Sequence, residues 1–149
     1  METRDKTERK AWIKLLAGAD PARLKAFRDQ LPDSVRYAYI VRPETGMLMV
    51  QAKADGSQNR LNLGEVTISR CVLEVNEKYL GGAWVMGGDL NHAELAAMFD
   101  GLLQDPEHHE SLMNGLIRVL EQDYENEIRS MENDARDTTV EFFTMKRGE

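Results

Sequence analysis

Between Val35 and Met86 the chain offers strand-type runs joined by connections too short to hold a helix. "VRYAYIVRPETG" and "MLMVQAK" are rich in β-branched and aromatic residues, with "PETG" placed as the turn between them. A polar loop, "ADGSQNR", leads to "LGEVTISRCVLEV", and "NEK" turns into "YLGGAWVMG". Strands connected this tightly run antiparallel, because a parallel pair needs a crossover of about a dozen residues or more. The expectation is a four-stranded antiparallel meander with one face that must be covered. Val66, Ile68, Val72 and Val75 do not hold one alternation, which points to a bulge near Arg70-Cys71.

Helices supply the cover. Trp12, Leu15 and Leu16 have helical spacing over residues 7–17, with Gly18 as the stop. Asp20-Pro21 sets an aspartate cap and a first-turn proline on a second helix, whose stripe is Leu24, Phe27 and Leu31. After the strands, Leu95, Met98, Phe99, Leu102 and Leu103 share one face of a helix over 91–104. Asp105-Pro106 starts a last helix reaching about residue 136. Its first half is apolar at Leu112, Met113, Leu116, Ile117, Val119 and Leu120, and its second half keeps only Tyr124, Ile128, Met131 and Ala135 among acids. At ~1.5 Å per residue such a helix spans ~45 Å, longer than a core of this size. The final twelve residues, "TTVEFFTMKRGE", return to a β-like pattern with Phe142-Phe143 and read as an extended tail. The chain is thus expected to be one α+β domain over 1–149: helical hairpin 1–33, antiparallel sheet 34–88, helices 89–137, extended tail 138–149.

A thin apolar stripe on a charged helix is too little for a core and enough for a seam. Tyr124, Ile128, Met131, Phe142 and Phe143 are therefore the expected interface residues. The formal charge is −7, from 19 basic and 26 acidic residues, which disfavours nucleic acid as a partner. No apolar run approaches the ~18 residues of a membrane span, and the charged first ten residues have no signal-peptide core. A single cysteine, Cys71, forms no internal disulfide. A reducing cytoplasm suits all of this.

"GGAWVMGGDLNHAELAAM", residues 81–98, concentrates the chemistry-bearing residue types. It lacks the phosphate-binding glycine spacings, and Asp89 with Glu94 would repel an anion at that helix start. His92, Glu94, His108 and His109 have no metal-ligand spacing, so no metal site is expected. Glu65, Arg70, Asp89, His92 and Glu94 could form a polar or partner site if the helix folds back over the strands. Otherwise Asp89 or Asn91 simply caps the helix, the latter in a box with Glu94. Arg70, inside a strand, needs a carboxylate or phosphate partner.

"KAWIKLLAGADPARL", "RPETGMLMVQAKADG", "NLGEVTISRCVLEV", "LGGAWVMGGDLNHAELAAMFDGLL" and the closing "VEFFTMKRGE" occur in the block order of a known family. Together they resemble the G-subunit (PhnG) family of the bacterial phosphonate carbon–phosphorus lyase system, over nearly the whole chain. The family pattern falls on Glu44, Thr45 and Gly46, on Glu65, Thr67 and Arg70, and on Asp89, His92 and Glu94; Gly88 stands where the family commonly has arginine. The resemblance implies an accessory subunit assembled with the H, I and J subunits, two copies of each, with the L subunit as a further partner. That system transfers an alkylphosphonate onto the ribose of ATP with release of adenine, giving α-D-ribose 1-methylphosphonate 5-triphosphate from methylphosphonate. The iron–sulfur cluster and S-adenosylmethionine belong to the J subunit, and no cofactor and no catalytic residue carry over to this chain. Two other readings stand beside it. A self-sufficient acid–base enzyme would use Glu65, Arg70, Asp89 and His92, and a homodimeric binding module would pair through the long helix and tail.

Overall fold

The computed structural model describes the backbone of residues 2–53 and 60–147, with side chains over 6–51 and 63–135. Helices α1 (Glu2–Ala17) and α2 (Pro21–Asp29) precede strands β1 (Tyr37–Lys53), β2 (Arg60–Val75) and β3 (Tyr79–Met86). Helix α3 (Leu90–Gln104), helix α4 (Pro106–Leu112), a π turn at Met113–Ile117 and helix α5 (Arg118–Arg147) complete the chain. Three aspartate caps form: Asp20 accepts from the Ala22 N–H, Asp89 from the His92 N–H and Asp105 from the Glu107 N–H.

The sheet is antiparallel but has three strands in the order β1-β2-β3, not four. "PETG" does not turn. Thr45 and Gly46 stay in register opposite Ser69 and Ile68, so two expected strands are one strand of 17 residues. The cause lies in the register shifts between Tyr39 and Val41 and between Val41 and Glu44. Pro43 falls inside the second shift, on a strand that pairs only with β2, where its missing N–H is tolerated. The expected bulge near Arg70-Cys71 is thus carried by β1 opposite them, while β2 pairs evenly with β3 across both residues. Of the polar loop "ADGSQNR", residues 54–59 lie outside the described residues and Arg60 opens β2.

One sheet face is covered. Ser69, Cys71, Leu73 and Val75 of β2 and Ala83 and Val85 of β3 are buried against α3, which is itself closed over by α1, α2 and α4. The closest approach is between β3 and α3. A Cβ on Gly81 would overlap the Ala97 carbonyl oxygen and come within 2.7 Å of the Gly101 nitrogen. Asp100, fully buried on α3, ties the layers together. It accepts from Arg9 Nε (3.2 Å) and Nη2 (3.0 Å), the Trp12 indole N–H (2.8 Å) and the Gly82 N–H (3.0 Å).

The extended tail over 138–149 is also corrected. α5 continues to Arg147, and the last two residues lie outside the described set. Adding a residue to an existing helix costs far less than nucleating new structure, and spacings of three and four from Ile128 continue through positions 131, 135, 138, 142 and 145. The π turn keeps Leu116 and Ile117 buried, and a Cβ on its Gly115 would sit 3.5 Å from the Phe27 ring.

Candidate functional site

The five residues expected to share a polar site go to separate places. Arg70 lies on the open face of β2, opposite Glu44 of β1 and Trp84 of β3. Its guanidinium pairs with the Glu44 carboxylate and stands 5.6 Å over the Trp84 ring centroid. This is the carboxylate partner that a strand arginine requires. Glu65 is exposed opposite Met49, beyond the end of β3.

The other three sit on α3, across the sheet. Asp89 is spent as the helix cap, 3.1 Å from the His92 N–H. His92 is buried, with Nε2 2.9 Å from the Leu16 carbonyl oxygen. A carbonyl only accepts, so Nε2 holds the proton and the ring is committed to joining α3 to α1. Glu94 accepts from the Tyr39 hydroxyl, and this bond is the main reason that Tyr39 holds its proton far above the usual phenol range. Burial first, and the nearby Glu94 charge second, push the Cys71 thiol up to about 11. Arg70 and His92 therefore stand on opposite sides of β2 and cannot act on one substrate. Asp105, Glu107 and His108 offer ligand-type atoms within 4.8 Å of one another. The Asp105 carboxylate there is already held by the Glu107 N–H and Asn76 Nδ2.

What the structure does gather is uncovered apolar surface. Leu48, Leu80, Trp84 and Met86 line the open sheet face around the Arg70–Glu44 pair, with Trp84 55% and Met86 74% exposed. A shallow hollow of about 240 Å³ lies between Glu44, Met47, Leu48, Ile68, Arg70 and Trp84. Where β1 and β2 run past the end of β3, Met47, Met49 and Leu63 are exposed as well. A second uncovered strip runs along α5 through Tyr124, Ile128 and Met131. Among the expected interface residues, Phe142 and Phe143 lie on described helical backbone, but their side chains are outside the described residues.

Sequence reasoning missed Glu44 as the partner of Arg70, Trp84 as a surface platform, and Tyr39. It also missed Asp100, although a carboxylate inside "LAAMFDGLL" was a signal. A charge amid so apolar a run must be paired, and Arg9 and Trp12 supply the donors.

Arg, Trp and Met amid bare apolar surface are the composition of a protein interface core, not of a catalytic pocket. The sequence profile of the family described as "Phosphonate metabolism protein PhnG" matches residues 7–148. The chain is also 34% identical, over 142 residues, to the alpha-D-ribose 1-methylphosphonate 5-triphosphate synthase subunit PhnG of Rhizobium meliloti (strain 1021), covering 95% of this chain and 90% of that one. With both matches running almost end to end, the chain belongs to the PhnG family of phosphonate metabolism proteins.

Proposed function

We propose that this chain is an accessory, non-catalytic subunit of a complex that makes α-D-ribose 1-methylphosphonate 5-triphosphate. The observation that carries the reading is its near full-length correspondence with a chain named as a subunit of that synthase. Geometry supports it. The residues an isolated acid–base enzyme would need are split between two sides of a sheet, and each of Arg70, Asp89, His92 and Glu94 already has a partner inside the chain. The apolar face of the sheet and the strip along α5 have the character of surface that other subunits cover.

On this proposal the partners are the H, I and J subunits, with two copies of this chain per complex and the L subunit as a further partner. ATP and alkylphosphonate are substrates of the complex, and the iron–sulfur cluster and S-adenosylmethionine remain with J. No described helix is long and apolar enough to cross a membrane, and the proposed location is the cytoplasm.

Native mass spectrometry tests the reading, first on this chain alone and then on the chain co-expressed with those subunits. The expected outcome is a defined heteromer that contains this chain, with transfer activity only in the heteromer. A monomer that ignores the other subunits and turns over substrate alone would overturn it.

A further inference from the structure

A groove of about 770 Å³ lies between α5 and the α1–α2 hairpin. Leu15, Gly18 and Ala19 form one wall, and Leu120, Tyr124, Ile128 and Met131 form the other. The second wall begins buried, with Leu120 at 3% exposure, and ends open, with Met131 at 60%. Its residues recur at spacings of four, four and three along one helix, the pattern by which a helix accepts the side chains of another helix. Glycine and alanine on the opposite wall keep it low enough to admit such a neighbour.

Charge decides what that neighbour is. Residues 121–137 hold seven acids and two bases. The two cations of the opposite wall are already engaged: Lys14 sits over the Tyr124 ring at 5.3 Å, and Arg23 bonds Asp123 at 3.1 Å. Among the described residues, Glu121, Glu125, Glu127 and Glu132 have no ion-pair partner. A second copy of this chain laid along the strip would bring seven acids against seven. We infer that the α5 groove is the docking site for a basic amphipathic helix of a different protein, seated by its apolar side on Ile128 and Met131 and flanked by its cations against the α5 acids.

This rests on the accessory-subunit reading, and the partner helix is expected within the same complex. The test uses the full chain co-expressed with the other subunits of the synthase complex. Ile128→Asp and the combined Glu121→Lys, Glu125→Lys, Glu127→Lys chain are compared with the parent by native mass spectrometry across a salt series. The groove requires at least a tenfold loss of assembly for each variant, and a parent assembly that weakens as salt rises. These positions are exposed or half-buried, and circular dichroism checks that the helix content is kept. A photo-reactive residue at Met131 in an otherwise unaltered chain reads the occupant directly, whatever the variants do to folding. Cross-linking to a lysine- and arginine-rich helix of another subunit is the supporting result. Cross-linking to a second copy, or to an acidic segment, overturns the inference. If the parent assembles and both folded variants assemble equally well, only the groove inference falls. If the parent does not assemble at all, the accessory-subunit reading falls with it.

Discussion

Asp100 has no exposure to water, and its carboxylate is met by a guanidinium and an indole N–H from α1 and by a backbone N–H from β3. Asp100→Ala would leave the Trp12 and Gly82 donors buried without an acceptor, and is expected to cost about 3–5 kcal/mol in urea unfolding. Arg9→Ala is expected to cost less, because the Arg9 side chain is 42% exposed and can be replaced by water. Its guanidinium is held above its ordinary pKa chiefly by the Asp100 hydrogen bond, against the opposing effect of burial. Cys71 gives a pH prediction. Its folded pKa of about 11 lies above the usual thiol value, so the unfolded chain loses the proton first. Its contribution to stability is therefore complete below about pH 8.5 and declines between there and pH 11; Cys71→Ala removes that part of the decline. The folded chain should also leave Cys71 unmodified by a thiol reagent at pH 8, and urea should expose it. At this scale the sequence foretold a need and not a partner. An arginine in a strand demanded an anion, but only the β1 register shift brings Glu44 opposite it. His92 looked reactive because its neighbours in sequence are polar, whereas its neighbour in space is a main-chain carbonyl of α1.

The elements themselves were mostly legible, since helix periods, aspartate caps and short strand connections are local signals. α1, α2 and α3 form where apolar spacing and caps placed them. The two errors share a cause. "PETG" is turn chemistry and "VEFFT" is strand chemistry, and in both places continuation of an existing ladder or helix prevails over local preference. Two glycine substitutions test the account of the sheet. Gly81→Ala would drive a methyl group into α3 backbone that cannot yield, and is expected to cost about 3 kcal/mol or more, read from the unfolding midpoint. The β2–β3 turn works the other way. Asn76 and Glu77 take φ of 51° and 60°, and Lys78 N–H returns to the Val75 carbonyl at 3.1 Å. Glu77 is exposed there, so Glu77→Gly should relieve the left-handed strain and stabilise the chain by up to about 1 kcal/mol.

At the scale of the whole molecule, a compact core is joined to two long features it does not bury: the paired ends of β1 and β2, and the outer part of α5. The sequence announced the second through its thin stripe among acids. It hid the first, because the exposed face of an isolated hairpin and the covered face of a sheet read alike until the number of strands is known. An isolated chain with this surface should bind an apolar dye such as ANS while folded, and assembly with partners should suppress that fluorescence. The π turn at Met113–Ile117 governs where one of these features points. Each residue of a helix turns it by about 100°, and a π turn holds one residue more than the α-helical frame allows. Upstream of it the helical segment is keyed to the core by Leu112, and downstream the strip of Tyr124, Ile128 and Met131 is read from the new phase. Deletion of Gly115 would therefore set the core seat of Leu112 against those of Leu116, Ile117 and Leu120, and the strip would swing about a quarter of a turn around the α5 axis only as those three leave their seats. The angle at which this protein presents itself to others is written in a single extra residue.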